Sequence, residues 1–120
     1  MPTPPKSGAP LPPFARSDCP VACTLDLIGD KWTLLIVRDL FLGQTRYGEF
    51  LTSGEGIPSN ILANRLRRLA ETGLVEKIGS RPRVSYRLTA RGRTLGPVLL
   101  AIKRWGSAQI RGTRGRSPRR

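Results

Sequence analysis

The sequence predicts a mostly helical α+β domain, a winged helix-turn-helix with flanking helices suited to dimerisation. Three features point there. An amphipathic run from Ser59 to Thr72 carries leucines on one face and Asn and Arg on the other. Two short segments that alternate apolar and polar residues follow it, separated by a turn-forming run. The formal net charge of +13 is concentrated in the last part of the chain.

Residues 1–17, MPTPPKSGAPLPPFARS, are crowded with Pro and Gly and poor in side chains that could pack. They are expected to be disordered, leaving one folded DNA-binding domain over residues 18–108. Asp18-Cys19-Pro20 reads as its first helix entrance. Pro suits the first helical position, where an amide hydrogen would go unpaired, so Cys19 is the expected N-cap. This helix should run to Ile28 and stop at Gly29. Asp30 then caps a second helix over Lys31–Leu42, ending at Gly43. Its residues Trp32, Leu34, Leu35, Ile36, Val37, Leu40 and Phe41 are apolar nearly all round, which places it at the buried centre. A shorter helix over about residues 46–52 follows, with Thr45 as its cap and Tyr47, Phe50 and Leu51 turned inward. The loop from Ser53 to Ile57 leads into the next helix, completing a helix-turn-helix.

That next helix, Ser59–Thr72, meets Gly73, the residue type that best accepts a left-handed helix stop. At about 100° per residue, Leu62, Leu66 and Leu69 share one face with Ile61 at its edge. Asn60, Ala63, Asn64 and Arg67 fall opposite. Asn and Arg are the side chains shaped for bidentate contacts with adenine and guanine in the major groove; the plainer reading is a solvated helix face. Arg68 joins these residues as a candidate DNA contact. Arg65 lies beside the apolar face and is expected to anchor a phosphate or an internal partner, not a base.

Val75–Ile78 and Val84–Leu88 read as two strands, the second with Val84, Tyr86 and Leu88 alternating with Ser85 and Arg87. Between them lies the turn-forming run Gly79-Ser80-Arg81-Pro82-Arg83. A hairpin behind a reading helix is a wing, and its tip would set Arg81 and Arg83 against a phosphate backbone or in a minor groove. The plainer reading is that these arginines keep an edge soluble.

Thr89 or Ala90 begins a last helix expected to reach at least Trp105, with Leu95, Val98, Leu99, Ile102 and Trp105 at helical spacing. That stripe either covers the domain's own core or joins two copies. Dimerisation is preferred, because a two-fold dimer matches palindromic operators. The expected interface comprises Val21, Leu25, Leu95, Leu99, Ile102 and Trp105, with Ile28 alongside. Residues 109–120 read as a basic disordered tail.

Residues 1–76 hold eight Lys or Arg and eight Asp or Glu, whereas residues 77–120 hold thirteen basic residues and no acid. A one-signed field of this kind draws polyanions. A membrane surface is disfavoured, since no basic amphipathic helix has flanking interfacial aromatics. No stretch approaches a membrane span and no signal-peptide core is visible, so a cytoplasmic protein is expected. With no histidine, common general-base and triad arrangements are missing, and no phosphate-binding glycine loop is present. Two cysteines without histidine cannot complete a usual zinc site. The expectation is a non-enzymatic protein that needs no cofactor or metal and binds double-stranded promoter DNA. The competing reading is an RNA-binding or ribosome-associated basic module.

The runs CPVACTLDLIGDKWTLLIVRDLFLGQTRYGEF and GIPSNILANRLRRLAETGLVEK, followed by SYRLTARG, resemble the HxlR-type winged-helix transcription regulators, relatives of the MarR group. The resemblance covers about residues 19–106, with Leu95 to Gly106 similar to the family's closing helix. It implies a small dimeric regulator binding promoter DNA. By position, Asn60, Ala63, Asn64 and Arg67 correspond to reading-helix positions and Arg65 to an Arg-Leu pair in its middle. Two departures stand out. Pro58 occupies a site where a capping Ser is frequent, and the basic tail beyond Gly106 lies outside the pattern.

In several relatives a cysteine at the position of Cys19 senses oxidants or electrophiles. A thiol at a helix N-terminus has its reactive thiolate favoured by the helix dipole. Cys23 lies about one turn on, so a bond between the two would constrain little, whereas a bond or adduct across a dimer interface could change the spacing of two reading helices. The plainer reading is two reduced packing residues.

Overall fold

The structure, a computed structural model, describes residues 17–114. The expectations for residues 1–16 and 115–120 fall outside the described residues. The chain forms α1 (Pro20–Ile28), α2 (Thr33–Phe41), α3 (Tyr47–Leu51), α4 (Ser59–Glu71), β1 (Val75–Ile78), β2 (Ser85–Leu88), α5 (Ala90–Arg93) and α6 (Gly96–Gln109). This is the expected mostly helical fold with one two-stranded antiparallel sheet.

α1 has the expected bounds, with Cys19 at the N-cap and Pro20 at the first position. α2 starts two residues later than expected. The Asp30 carboxylate accepts the amides of Trp32 and Thr33 at 3.1 and 3.2 Å and the Thr33 hydroxyl, so Lys31 and Trp32 form a turn ahead of the helix. α2 is also less enclosed than its composition suggests. Ile36 and Val37 are buried, but Phe41 is 38% exposed. The cap of α3 is a second correction: Glu49, not Thr45, supplies it. Its carboxylate accepts the Thr45 and Arg46 amides, each at 2.9 Å, satisfying donors that a helix start leaves open.

α4 lays Leu62, Leu66 and Leu69 into the core beside Ile28, Ile36, Val37, Phe50, Leu74, Val75 and Leu88. Full burial of each leucine stabilises the fold by about 1.5–3 kcal/mol, which fixes the opposite face outward. Gly73 follows with φ of 77°, the left-handed stop. The hairpin pairs Val75 with Leu88 and Ile78 with Ser85. Its outer edge is covered: the Tyr86 amide donates to the Thr45 carbonyl at 2.8 Å, tying the hairpin to the segment that enters α3.

The expected last helix is broken into α5 and α6. Pro97, in the first turn of α6, has no amide to bond the Arg93 carbonyl four residues back, and its ring crowds that carbonyl. The Thr89 hydroxyl accepts the Gly92 amide at 3.0 Å and caps α5. Leu95 and Leu99 pack on the core of their own chain, as does Ile28, which is 4% exposed. These three residues therefore serve the core in the single chain. Exposed large apolar residues include Val21 and Leu25 on α1 and Val98, Leu100, Ile102 and Trp105 on α6, from 38% to 66% exposed.

Candidate nucleic-acid interface

Ser59, Asn60, Ala63, Arg67 and Arg68 of α4 are exposed, and Asn64 is half-buried. On one side of this face, α3, α4 and the hairpin enclose an open cleft of about 840 Å³. Arg46, Arg67, Lys77 and Arg81 line it, with Ala63 and Tyr86 among its apolar and aromatic walls. The hairpin thus carries Arg81 toward α4. Arg83 is exposed at the tip, where its amide donates to the Ser80 carbonyl at 2.8 Å and closes the turn. Four cations around one cleft, without an acid among its lining residues, make a surface suited to a phosphate backbone.

Arg46, Lys77 and Tyr47 belong to this surface, and the sequence reading did not place them there. Lys77 had a usable signal: it is two residues after the buried Val75 and directly opposite Tyr86, so it shares the face of Val84 and Tyr86. The Tyr47 hydroxyl bonds the Ser59 carbonyl and lies 2.7 Å from Ser59 Oγ, fastening α3 to the first turn of α4. Burial, together with the nearby Tyr47, pushes the Tyr86 hydroxyl above its ordinary pKa of 10.0. Tyr86 also meets Phe50 edge to face at 6.3 Å between centroids, anchoring the hairpin to the core.

Arg65 takes the internal partner that its position allowed. Its Nε donates to Asp30 Oδ2 at 2.8 Å, and its Nη1 donates to Asn64 Oδ1. Burial alone would raise the Asp30 carboxyl. The bonds from Thr33, Arg65 and the Trp32 amide outweigh it and bring the pKa from 3.8 to about 2. Arg68 reaches the Asp26 carbonyl at 3.5 Å, and Arg67 stands 3.8 Å from Glu71 one turn on, an exposed pair worth little. Both remain available to a ligand.

Cys19 is exposed at the start of α1, and Cys23 is half-buried, its thiol donating to the Ser17 carbonyl at 3.1 Å. Among the described residues no group of three or more His, Cys, Asp or Glu could hold a metal ion, and no helix is long and apolar enough to cross a membrane.

With this geometry in place, comparison with known proteins is informative. A family model described as HxlR-like helix-turn-helix matches residues 27–114. The uncharacterized HTH-type transcriptional regulator sll1512 of Synechocystis sp. is 41% identical over 92 residues, 74% of this chain and 68% of its own. A second uncharacterized HTH-type regulator, Mb3122 of Mycobacterium bovis, is 41% identical over 93 residues, 75% of this chain but 58% of its own length. Among solved structures, the candidate transcription factor PA1607 superposes with a TM-score of 0.74 at 45% identity, covering 88% of this chain and 75% of that one. The redox regulator HypR in its reduced form superposes with a TM-score of 0.70 at 36% identity, covering 78% and 95%.

Proposed function

Given that this chain belongs to the HxlR-like helix-turn-helix family and is a transcriptional regulator of the HxlR/MarR type, we propose that it binds promoter DNA in the cytoplasm as a homodimer, with α4 in the major groove. The observation that carries this reading is the cleft in which Arg46, Arg67, Lys77 and Arg81 converge beside the exposed face of α4. A duplex laid there meets the side chains of Asn60, Ala63, Asn64 and Arg67 at base edges. Arg46, Lys77, Arg81, Arg83 and Arg68 meet phosphates. The dimer surface draws on the exposed Val21 and Leu25 of α1 and Val98, Ile102 and Trp105 of α6, with the half-buried Leu95 and Leu99. A two-fold pair would set its reading helices about 34 Å apart on an imperfect palindrome.

Footprinting of the purified protein on DNA flanking its own gene tests the reading. Protection of two half-sites about one helical turn apart is expected. Uniform, sequence-independent protection would reduce it to a basic module of the RNA-binding kind. Sedimentation tests the dimer separately: a monomer at micromolar concentration with full specificity would remove it.

A second reading, switching at Cys19, is favoured by the exposure of that thiol at the start of α1 and by likeness to a protein described as a redox regulator. Footprinting in reducing and oxidising buffer tests it. Protection lost on oxidation and regained on reduction supports a switch.

A further inference from the structure

The side chain of Asn64 is held by a neighbour. Arg65 Nη1 bonds the oxygen of the Asn64 amide. The identity of that atom is fixed by chemistry: a guanidinium only donates, so the amide atom facing it must be the oxygen. Arg65 is in turn held by Asp30, whose Oδ2 accepts its Nε at 2.8 Å. Asp30 is itself fixed by the Trp32 and Thr33 amides and the Thr33 hydroxyl. The chain of bonds therefore runs from the junction of α1 and α2, across 35 residues of sequence, to the margin of the exposed face of α4. The side chains of Arg65 and Asp30 are 19% and 25% exposed, so both are partly shielded from water.

We propose that Asp30 and Arg65 are positioning residues that turn Asn64 into a hydrogen-bond donor on the reading face, and so set which base it accepts. An asparagine free on both sides reads adenine by accepting from N6 and donating to N7. Here the oxygen is engaged by a cation, whose charge opposes the approach of a second N–H. The groups Asn64 offers outward are its two amide hydrogens. These match bases that present acceptors in the major groove, guanine through O6 and N7 or thymine through O4. The ion pair with Asp30 also removes Arg65 from the set of phosphate anchors, which leaves its task local.

This inference rests on the proposal that α4 reads DNA, and the experiment separates the two. Duplexes are selected from a random pool with the wild-type protein, Asn64→Ala, Arg65→Met and Asp30→Asn, and the bound sequences are read. Thermal melting accompanies each variant. The base pair at which Asn64→Ala loses its preference identifies the contact. There the wild-type protein should favour guanine or thymine over adenine. Arg65→Met should shift the preference toward adenine by about tenfold, the scale of one good bidentate pair. Asp30→Asn, closer to isosteric, should shift it the same way by less, and it carries the comparison if Arg65→Met does not fold. A wild-type preference for adenine at that pair, or no loss of preference with Asn64→Ala, overturns the inference while leaving DNA reading intact. An unchanged preference in a folded Arg65→Met also overturns it. A wild-type protein that selects no sequence overturns the reading itself.

Discussion

Arg38 Nη2 lies 2.6 Å from Glu55 Oε1, so a guanidinium on α2 reaches across to the loop that leads into α4. The same group is 2.8 Å from Asp39 Oδ1, and Asp39 is buried. Burial works against the charged Arg38, but the bonds to Glu55 and Asp39 raise its pKa further above the ordinary value. The two acids are not equivalent. Glu55 can return to water when released, whereas Asp39 would keep a charge in a poorly solvated place.

Arg38→Ala should therefore cost about 2–3 kcal/mol, somewhat less than breaking a fully buried pair. Glu55→Gln should cost under about 1 kcal/mol, as for pairs near the surface. Urea denaturation of both variants checks the asymmetry. Equal losses would mean that the Asp39 contact is dispensable.

Reading and anchoring should separate by mutation. Arg67→Ala should lower affinity for the operator by about 1–3 kcal/mol and relax preference at one base pair. Arg81→Ala and Lys77→Ala should weaken all duplexes alike, and each should reduce the salt slope by about 1, as expected when one phosphate is no longer neutralised. Binding to operator and random DNA over a range of salt distinguishes them. If Arg67→Ala weakens both DNAs equally, Arg67 is an anchor.

Much of this architecture is written in local signals. Pro20 and Gly29 bound α1, the leucine spacing orients α4, and Gly73 stops it. The break between α5 and α6 was equally local, since Pro97 lies four residues beyond Arg93, yet the apolar stripe running through it masked the signal. What local patterns cannot give is partnership between distant segments. Arg65 can be placed beside the apolar face by counting, but its partner Asp30 is 35 residues away. Arg46 and Lys77 look like ordinary surface cations until α3 and the hairpin converge on one cleft. Capping by Glu49 is hidden in the sequence because Thr45 offers a simpler local candidate.

Gly92 is buried because the chain closes tightly around it. A Cβ there would collide with the Leu74 carbonyl and lie 2.9 Å from Leu88 Cδ2. Since the first of these atoms is backbone, repacking a side chain cannot relieve the contact. Gly92→Ala should destabilise the domain by about 1–3 kcal/mol, which corresponds to roughly 4–8 °C in Tm per kcal/mol for a domain of this size. Calorimetry checks it, and an unchanged Tm would show that the backbones at Leu74 and Gly92 can move apart at little cost.

Asp30 gives the fold a dependence on acid. Its carboxyl is held at about 2 against an ordinary 3.8, so the unfolded chain takes up the proton first as pH falls. The stability it contributes is complete above about pH 4 and is lost as pH drops toward about 2. With solvent screening of a partly exposed group, the increment is on the order of 1 kcal/mol. Asp30→Asn should lose it at neutral pH and show a flatter stability profile across that window. Identical profiles for both proteins would place the acid sensitivity elsewhere.

The two thiols differ in surroundings, and that difference predicts an order of reaction. Cys19 is exposed where α1 begins. Cys23 is half-buried and its thiol already donates to the Ser17 carbonyl. Reagent access limits the modification of thiols in a folded protein, so an alkylating reagent should label Cys19 well before Cys23. If modification is transmitted to DNA binding, oxidation should lower operator affinity and a reductant should restore it, each tenfold change amounting to about 1.4 kcal/mol. The Cys19→Ser variant should bind reduced-state operator almost normally and ignore the oxidant. Cys23→Ser should alter the response only if Cys23 resolves the oxidised Cys19 into a disulfide. Mass mapping of the labelled thiols, paired with operator titrations before and after oxidation, measures both halves of the prediction. Rapid labelling of Cys19 with no change in affinity would leave it a reactive helix cap without a regulatory readout.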